Sequence, residues 1–110
     1  MNWIEVKTIE QVNDLINKSE AISVLFFKHS TRCSISIMAK DRIERNWNIN
    51  TAEVIPVYLD LIQYRSISNY LAETLAVEHQ SPQVILVKNK KAIYNESHNM
   101  IQVKNIEANL

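Results

Sequence analysis

The order of apolar and polar residues predicts that the chain begins with a short strand and a helix. Residues 8–11, Thr-Ile-Glu-Gln, have the form of a capping box, which marks the N-terminus of a helix. Apolar residues then recur at three- and four-residue steps, which is the spacing of one helix face. The pattern predicts a helix over residues 9–18 after a short strand over residues 3–6. The apolar positions of this helix are Ile9, Val12, Leu15 and Ile16.

A continuous apolar run over residues 21–27, AISVLFF, predicts the central strand of a sheet. Strands that are buried under helices on both faces carry such runs instead of an alternating pattern. Polar residues 28–32 follow, and apolar residues then recur at helical steps, which predicts a second helix. The apolar positions of the second helix are Ile35, Met38, Ala39, Ile43 and Trp47.

The second half of the chain predicts three more strands and two more helices. Residues 53–61 form a predicted strand in which Pro56 should lie near the start or beside an unpaired stretch, because proline cannot donate to a ladder. The other predicted elements are a strand over residues 83–88 after Pro82, a turn over residues 89–91, a strand over residues 92–95, a third helix with apolar positions Ile67, Leu71, Ala72, Leu75 and Ala76, and a short closing helix with Val103, Ile106 and Leu110.

This element order predicts an α/β fold in which a central mixed β-sheet is flanked by helices. Helical crossovers join strands that should be parallel, and the chain ends with an antiparallel hairpin and a short helix. No linker or repeat interrupts the 110 residues, so one domain over residues 1–110 is predicted. Glycine is absent, so positive backbone φ angles are expected at asparagine, and Asn89 is one such position.

Composition and charge narrow the classes of function. Hydrophobic residues make up 46% and charged residues 22% of the chain, which is typical of an ordered globule with an apolar core. The formal net charge is zero, so neither nucleic acid nor an anionic membrane surface is an expected partner. The sequence also shows no secretory signal and no apolar stretch of membrane-spanning length. With a single cysteine that cannot form an internal disulfide, these features favour the cytoplasm.

Cys33 is predicted to lie where the central strand has ended and the second helix is about to begin. Unsatisfied backbone N–H groups at a helix N-terminus favour the thiolate, which is the reactive form of cysteine. Lys28, His29 and Arg32 would add positive potential if they face the sulfur. The alternative is a buried and inert thiol, which is common for a lone cysteine. The polar residues immediately before Cys33 favour the reactive thiol.

The sequence gives less support to a metal site, to a role for His98 at the cysteine, or to phosphate binding. The three histidines, His29, His79 and His98, are widely spaced and form no close ligand pair with each other or with the cysteine, so no metal site is predicted. His98 follows the predicted hairpin, and its side chain is expected at the surface, with an approach to the cysteine as the alternative. No glycine-rich loop is present to bind a phosphate.

Two segments carry a resemblance to a known family. KHSTRCSIS, followed by an amphipathic helix, and HQSPQVILVKNKKAIYNESHN resemble the thioredoxin-like monothiol bacilliredoxins, over nearly the whole chain. The resemblance implies a thioredoxin-like fold and makes Cys33 the nucleophile. The position of a resolving cysteine, three residues later, holds Ser36, which gives a C-x-x-S site.

The same resemblance implies the residues around the nucleophile. Ser36 would donate a hydrogen bond to the thiolate, Pro82 would follow a cis peptide bond, and Ser81 would offer its backbone to the substrate as an added strand. Relatives commonly carry proline after the active cysteine, where this chain has a serine, and the strand AISVLFF lacks the buried acid of thioredoxins. No proton-transfer residue is therefore predicted. The implied substrate-binding residues are Thr31, Arg32, Ser34, Ser36, Ser81 and Pro82.

Three functions remain open on the sequence. In the first, Cys33 reduces mixed disulfides between cytosolic proteins and bacillithiol, with no tightly bound cofactor and with bacillithiol as the thiol co-substrate. Turnover would need that external thiol, because no second cysteine can expel the adduct. In the second, the chain holds an iron-sulfur cluster as some monothiol glutaredoxins do, although their motif has Gly-Phe where this chain has Ser34-Ile35. In the third, it is a thioredoxin-like adaptor without catalysis.

Overall fold

The computed structural model describes residues 1–110, which form five strands, four α-helices and one 3₁₀ helix. No helix is both long enough and apolar enough to cross a membrane. In chain order the elements are β1 (Ile4–Glu5), α1 (Ile9–Lys18), β2 (Ser23–His29), α2 (Ser34–Asn46), β3 (Val54–Asp60), α3 (Arg65–Leu75), β4 (Gln83–Lys88), β5 (Lys91–Ser97), the 3₁₀ helix (His98–Met100) and α4 (Val103–Ala108).

The five strands form one mixed sheet in the order β1-β3-β2-β4-β5. Strands β1, β2 and β3 are parallel, whereas β4 runs antiparallel to β2 and β5 runs antiparallel to β4. Helices α1 and α3 cover one face of the sheet with one apolar cluster, and α2 and α4 cover the other face with a second cluster. This is the predicted α/β fold with its closing hairpin and short helix.

Strand β2 lies at the centre and alternates its side chains between the two clusters. Val24 and Phe26 pack on the α1 and α3 face, and Leu25 and Phe27 pack on the α2 and α4 face, all of them completely buried. Successive side chains of a strand point to opposite faces, so a strand covered on both sides must be apolar throughout. The uninterrupted run in the sequence has this cause.

The boundaries predicted for β2, residues 21–27, are wrong by two residues at each end. The strand continues through Lys28 and His29, which the sequence places in a polar loop. Lys28 pairs with Leu59 of β3 and with Gln83 of β4, and both polar residues are buried. Backbone pairing to two neighbouring strands therefore extends β2 to within four residues of Cys33.

Pro56 lies within β3, in register with Leu25 of β2. On the other side of β3, the two-residue strand β1 pairs only with Val57 and Tyr58. Pro56 thus has no β1 residue opposite it, in agreement with the prediction that it borders an unpaired stretch.

The hairpin between β4 and β5 turns at Asn89 and Lys90, which both have positive φ. Ser19 fixes this turn, because its carbonyl accepts from the Asn89 N–H and its hydroxyl accepts from the Lys90 N–H, each at 2.8 Å. The positive φ predicted at Asn89 is confirmed, but the restriction of positive φ to asparagine is wrong. Positive φ is found at Ala76, Asn89, Lys90 and His98.

Candidate functional site

Cys33 is the N-cap residue of α2, four residues after the end of β2. Its backbone is extended (φ −103°, ψ 122°), its N–H donates to the Ser30 carbonyl at 3.2 Å, and its carbonyl accepts from the Ile37 N–H at 3.0 Å. The side chain is half-buried and makes no capping hydrogen bond. The thiol therefore lies beside the open N–H groups of the first helical turn.

The first turn of α2 carries no acidic residue that would compete with a thiolate for the positive end of the helix. Thr31, Arg32 and Ser34, three of the residues that the resemblance places around the thiol, are exposed. Apolar side chains are exposed on the same helix, with Ile37 at 50% and Met38 at 60% of their full accessible surface. Cys33 thus borders a surface that is both polar and apolar.

Ser36 differs from these neighbours because it is completely buried. Its hydroxyl oxygen accepts from the Ser30 N–H at 2.9 Å and lies 2.6 Å from His29 Nδ1. When the His29 proton is on Nε2, the Ser36 hydroxyl donates to Nδ1. A hydrogen bond from Ser36 to a Cys33 thiolate would have to compete with the hydrogen bond between Ser36 and His29. Ser36 therefore joins the start of α2 to the end of β2.

His29 lies under the start of α2, with its ring 5.6 Å from the ring of Tyr58. Burial lowers the pKa of His29, and the charge of Lys40 lowers it further, while Asp60 and Glu44 act in the opposite direction. A histidine whose pKa lies below 6.5 is mostly neutral at pH 7. The positive charge that His29 adds near Cys33 at neutral pH is therefore smaller than that of an ordinary histidine.

Lys28 extends to the opposite face of the sheet from α2. Its side chain is completely buried and its Nζ lies 3.3 Å from Nδ1 of His79, which also neighbours Ser68 of α3. Burial lowers the pKa of Lys28 from 10.5 to about 8. Lys28 would add positive potential around Cys33 only if it faced the sulfur, and this condition is not met, because alternation along β2 directs it to the α3 face.

The Ser81–Pro82 segment ends at the same edge of the sheet as Cys33. The next residue, Gln83, pairs with Lys28 near the end of β2, and the Ser81–Pro82 peptide bond is cis, as the resemblance implies. The Pro82 carbonyl accepts from the His98 N–H at 3.0 Å, while the His98 side chain is exposed. The Ser81 hydroxyl is buried without a hydrogen-bond partner.

The three histidines lie in three separate environments. His29 contacts Ser36 under α2, His79 contacts Lys28 on the other face, and His98 begins the 3₁₀ helix. No group of three or more His, Cys, Asp or Glu side chains is arranged to hold a metal ion.

Replacing Ser36 with alanine should lower the free energy of unfolding by about 1–3 kcal/mol, because the Ser30 N–H and His29 Nδ1 would lose their partner in a buried place. Urea denaturation at pH 7 measures the change. Ser34→Ala, at an exposed position two residues earlier, should change the stability by less than about 0.5 kcal/mol. Equal effects of the two substitutions would contradict the anchoring role of Ser36.

A comparison with protein families identifies the chain. The family model described as "Monothiol bacilliredoxin BrxC" matches residues 4–106, which is almost the entire length. The chain belongs to the monothiol bacilliredoxin family. Members of this family are thiol redox proteins, and the C-x-x-S site at Cys33 falls within the matched region.

Solved structures agree with this assignment at the level of the fold. One protein described as having a thioredoxin fold is 29% identical, with a TM-score of 0.79 over 96% of this chain and 90% of the other. Oxidised thioredoxin from Plasmodium falciparum has a TM-score of 0.74 at 12% identity, over 99% of this chain and 100% of the other. Thioredoxin from Fasciola hepatica has a TM-score of 0.71 at 15% identity, over 96% and 93%. The bacilliredoxin chain therefore has the thioredoxin fold.

Two features of this bacilliredoxin site were missed by the sequence analysis. One is the contact of His29 with Ser36, and the other is the buried pair of Lys28 and His79. The first joins residues seven positions apart, but the polar run at residues 28–32 predicts a loop and so gives no sign of the strand that carries His29. The second joins residues that are 51 positions apart and carries no local signal.

Proposed function

We propose that the protein is a monothiol thiol-disulfide oxidoreductase that reduces mixed disulfides between proteins and bacillithiol through Cys33. The observation that carries the proposal is the position of the chain's only cysteine, half-buried at the N-terminus of α2 in a family of thiol redox proteins. The attacking species in disulfide exchange is a thiolate, and the half-buried side chain leaves the Cys33 sulfur partly accessible to a disulfide substrate.

In the first step, the Cys33 thiolate attacks the bacillithiol sulfur of the mixed disulfide. The bond between that sulfur and the protein sulfur breaks, and the protein leaves as a thiolate that takes a proton from water. The product is a disulfide between Cys33 and bacillithiol. One disulfide bond forms and one breaks, so the step requires no further oxidant or reductant.

In the second step, a free bacillithiol thiolate attacks the bacillithiol sulfur of the adduct. The Cys33 thiolate leaves and oxidised bacillithiol, the disulfide of two bacillithiol molecules, is released. An external thiol has this role because the chain has no second cysteine. The need for a free thiol in the protein itself also supports the cytoplasm as its compartment.

The surface around Cys33 supports a protein as one half of the disulfide substrate. Exposed apolar side chains of α2, Ile35, Ile37 and Met38, lie within the first two turns after the thiol. The Ser81–Pro82 segment ends at the same edge and offers backbone groups for an added strand. We infer that an unfolded or extended stretch of an S-thiolated protein binds here.

Mass spectrometry of the intact chain tests the proposal. Incubation with oxidised bacillithiol in the absence of free thiol should add one bacillithiol per chain, and peptide mapping should place it on Cys33. Free bacillithiol should then remove the adduct. A matched incubation with oxidised bacillithiol after alkylation of Cys33 should leave the mass unchanged. A chain that remains unmodified under the first condition would contradict the proposal.

A further inference from the structure

A cluster of buried polar side chains holds the segment that precedes Pro82. This pre-proline segment, residues 78–81, receives support from Gln83 at the start of β4, which is 1% exposed. The Gln83 side chain donates from Nε2 to the Glu78 carbonyl at 3.1 Å and accepts from the Gln80 N–H at 3.4 Å. Two backbone groups of the segment are thus fixed by one uncharged residue.

The third attachment of the pre-proline segment is charged. Lys28 Nζ lies 3.3 Å from His79 Nδ1, and the Ser68 hydroxyl lies 3.4 Å from the same nitrogen. Lys28 and Ser68 are completely buried, whereas His79 is half-buried. None of the four ion pairs in the structure includes Lys28, so its ammonium has no carboxylate to neutralise it.

The chemistry of this contact requires a neutral histidine. An ammonium group can only donate, so His79 Nδ1 must accept and its proton must lie on Nε2. A protonated His79 has no acceptor nitrogen and would place a second positive charge 3.3 Å from the Lys28 ammonium. Movement of the half-buried ring toward solvent would relieve this repulsion.

We propose that the contact between Lys28 and His79 is a proton-sensitive latch, and that His79 is a positioning residue that holds the Ser81–Pro82 backbone where substrate binds. The inference rests on the proposed function, because it assigns a task to the segment that the proposed substrate would contact. With His79 neutral, the latch is closed; with His79 protonated, the segment keeps only the Gln83 attachment.

The surrounding charges define the pH range of the latch. Burial lowers the pKa of His79, and the charges of Lys28 on β2 and Arg65 at the start of α3 lower it further. The neighbour from β4, Gln83, is neutral. The latch is therefore closed at neutral pH and opens only as the pH falls below the ordinary histidine value of 6.5. Deprotonation of Lys28 above pH 8 leaves the contact intact, because a neutral amine still donates.

Amide hydrogen exchange of residues 78–81, measured on the full chain from pH 7.5 to pH 4.5, tests the latch. Exchange in wild type should become about ten- to hundredfold faster than in His79→Gln at the same low pH, the change expected from loss of one hydrogen bond to a charged group. Glutamine offers an acceptor oxygen to Lys28 and does not titrate. His79→Leu, which has no acceptor, should exchange at the fast rate at every pH.

Kinetic measurements connect the latch to substrate binding. His79→Leu should raise KM for a bacillithiolated protein at pH 7.5 while the rate of Cys33 alkylation by a small reagent stays at the wild-type value. His79→Gln should keep the wild-type KM and lose the rise in KM at low pH. His98→Gln, at the exposed histidine, should keep that rise, which controls for the general effect of histidine titration.

The two proposals fail in different ways. Identical exchange in wild type and His79→Gln at every pH would overturn the latch, whatever the activity. If exchange follows the latch but no variant reduces a bacillithiolated protein, the proposed function fails and the latch remains as a device of the fold. An unchanged or lower KM in His79→Leu would overturn the positioning role.

Discussion

Replacing Cys33 with serine should reduce the release of bacillithiol from a bacillithiolated protein to the uncatalysed rate. Both proposed steps pass through a bond to the Cys33 sulfur, and the chain has no other thiol to replace it. A serine hydroxyl is hardly ionised at neutral pH and does not exchange with disulfides. The measurement is the rate of bacillithiol release in the presence of excess free bacillithiol, followed by mass spectrometry of the substrate protein.

The fold should survive this substitution. The Cys33 side chain is half-buried and makes no capping hydrogen bond, and serine is among the preferred N-cap residues, so the free energy of unfolding should stay within about 0.5 kcal/mol or rise slightly. Ser66→Ala, at an exposed position on α3, serves as the matched surface variant and should keep full activity. Catalysed release by a well-folded Cys33→Ser protein would refute the proposed function.

The sequence predicts the fold well where burial determines the spacing of apolar residues. A strand buried on both faces is apolar throughout, and a helix buried on one face has apolar residues at three- and four-residue steps. The run at residues 21–27 predicts a central strand because each alternate side chain enters one of two apolar clusters, and Ile67, Leu71 and Leu75 predict α3 because they share one helix face. Element order and the sheet follow from these patterns, since helical crossovers leave few topologies open.

The errors occur where tertiary contacts override local preference. Lys28 and His29 are polar, so they predict a loop, yet pairing with β3 and β4 keeps them in β2. The positive φ of Ala76 ends α3, and that of His98 starts the 3₁₀ helix, where Arg42 of α2 donates to the His98 carbonyl at 3.3 Å. No property of a single alanine or histidine predicts these backbone angles.

The sequence predicts where Cys33 lies in the fold, but it predicts only part of the surroundings of that residue. Cys33 is singled out by being the only cysteine and by lying between a buried strand and a helix. The burial of Ser36 against His29 depends on how α2 packs on the sheet, and the burial of Lys28 depends on β4 and α3 closing over it. Such contacts arise from packing between separate elements and leave no local pattern in the sequence.

Replacing Ser36 with cysteine should convert the site from one that needs an external thiol to one that expels its own adduct. Residues three apart in the first helical turn lie close enough for a disulfide, whose Cα atoms are usually about 4.4–6.8 Å apart. The introduced thiolate would attack the Cys33 sulfur of the adduct, form an internal disulfide and release bacillithiol as a thiolate. Wild type, with Ser36, should retain the adduct indefinitely under the same conditions.

The experiment loads each protein with one bacillithiol, removes free thiol and follows the intact mass and the released bacillithiol. Ser36→Cys should release one bacillithiol per chain and leave no free thiol, whereas Ser34→Cys should retain the adduct, because adjacent helical residues do not face each other. The new side chain also loses the hydroxyl that bonds Ser30 and His29, so some stability is lost while the fold persists. Retention of bacillithiol by a folded Ser36→Cys protein would show that position 36 is out of reach of the Cys33 sulfur, and the C-x-x-S description of the site would then have no chemical meaning.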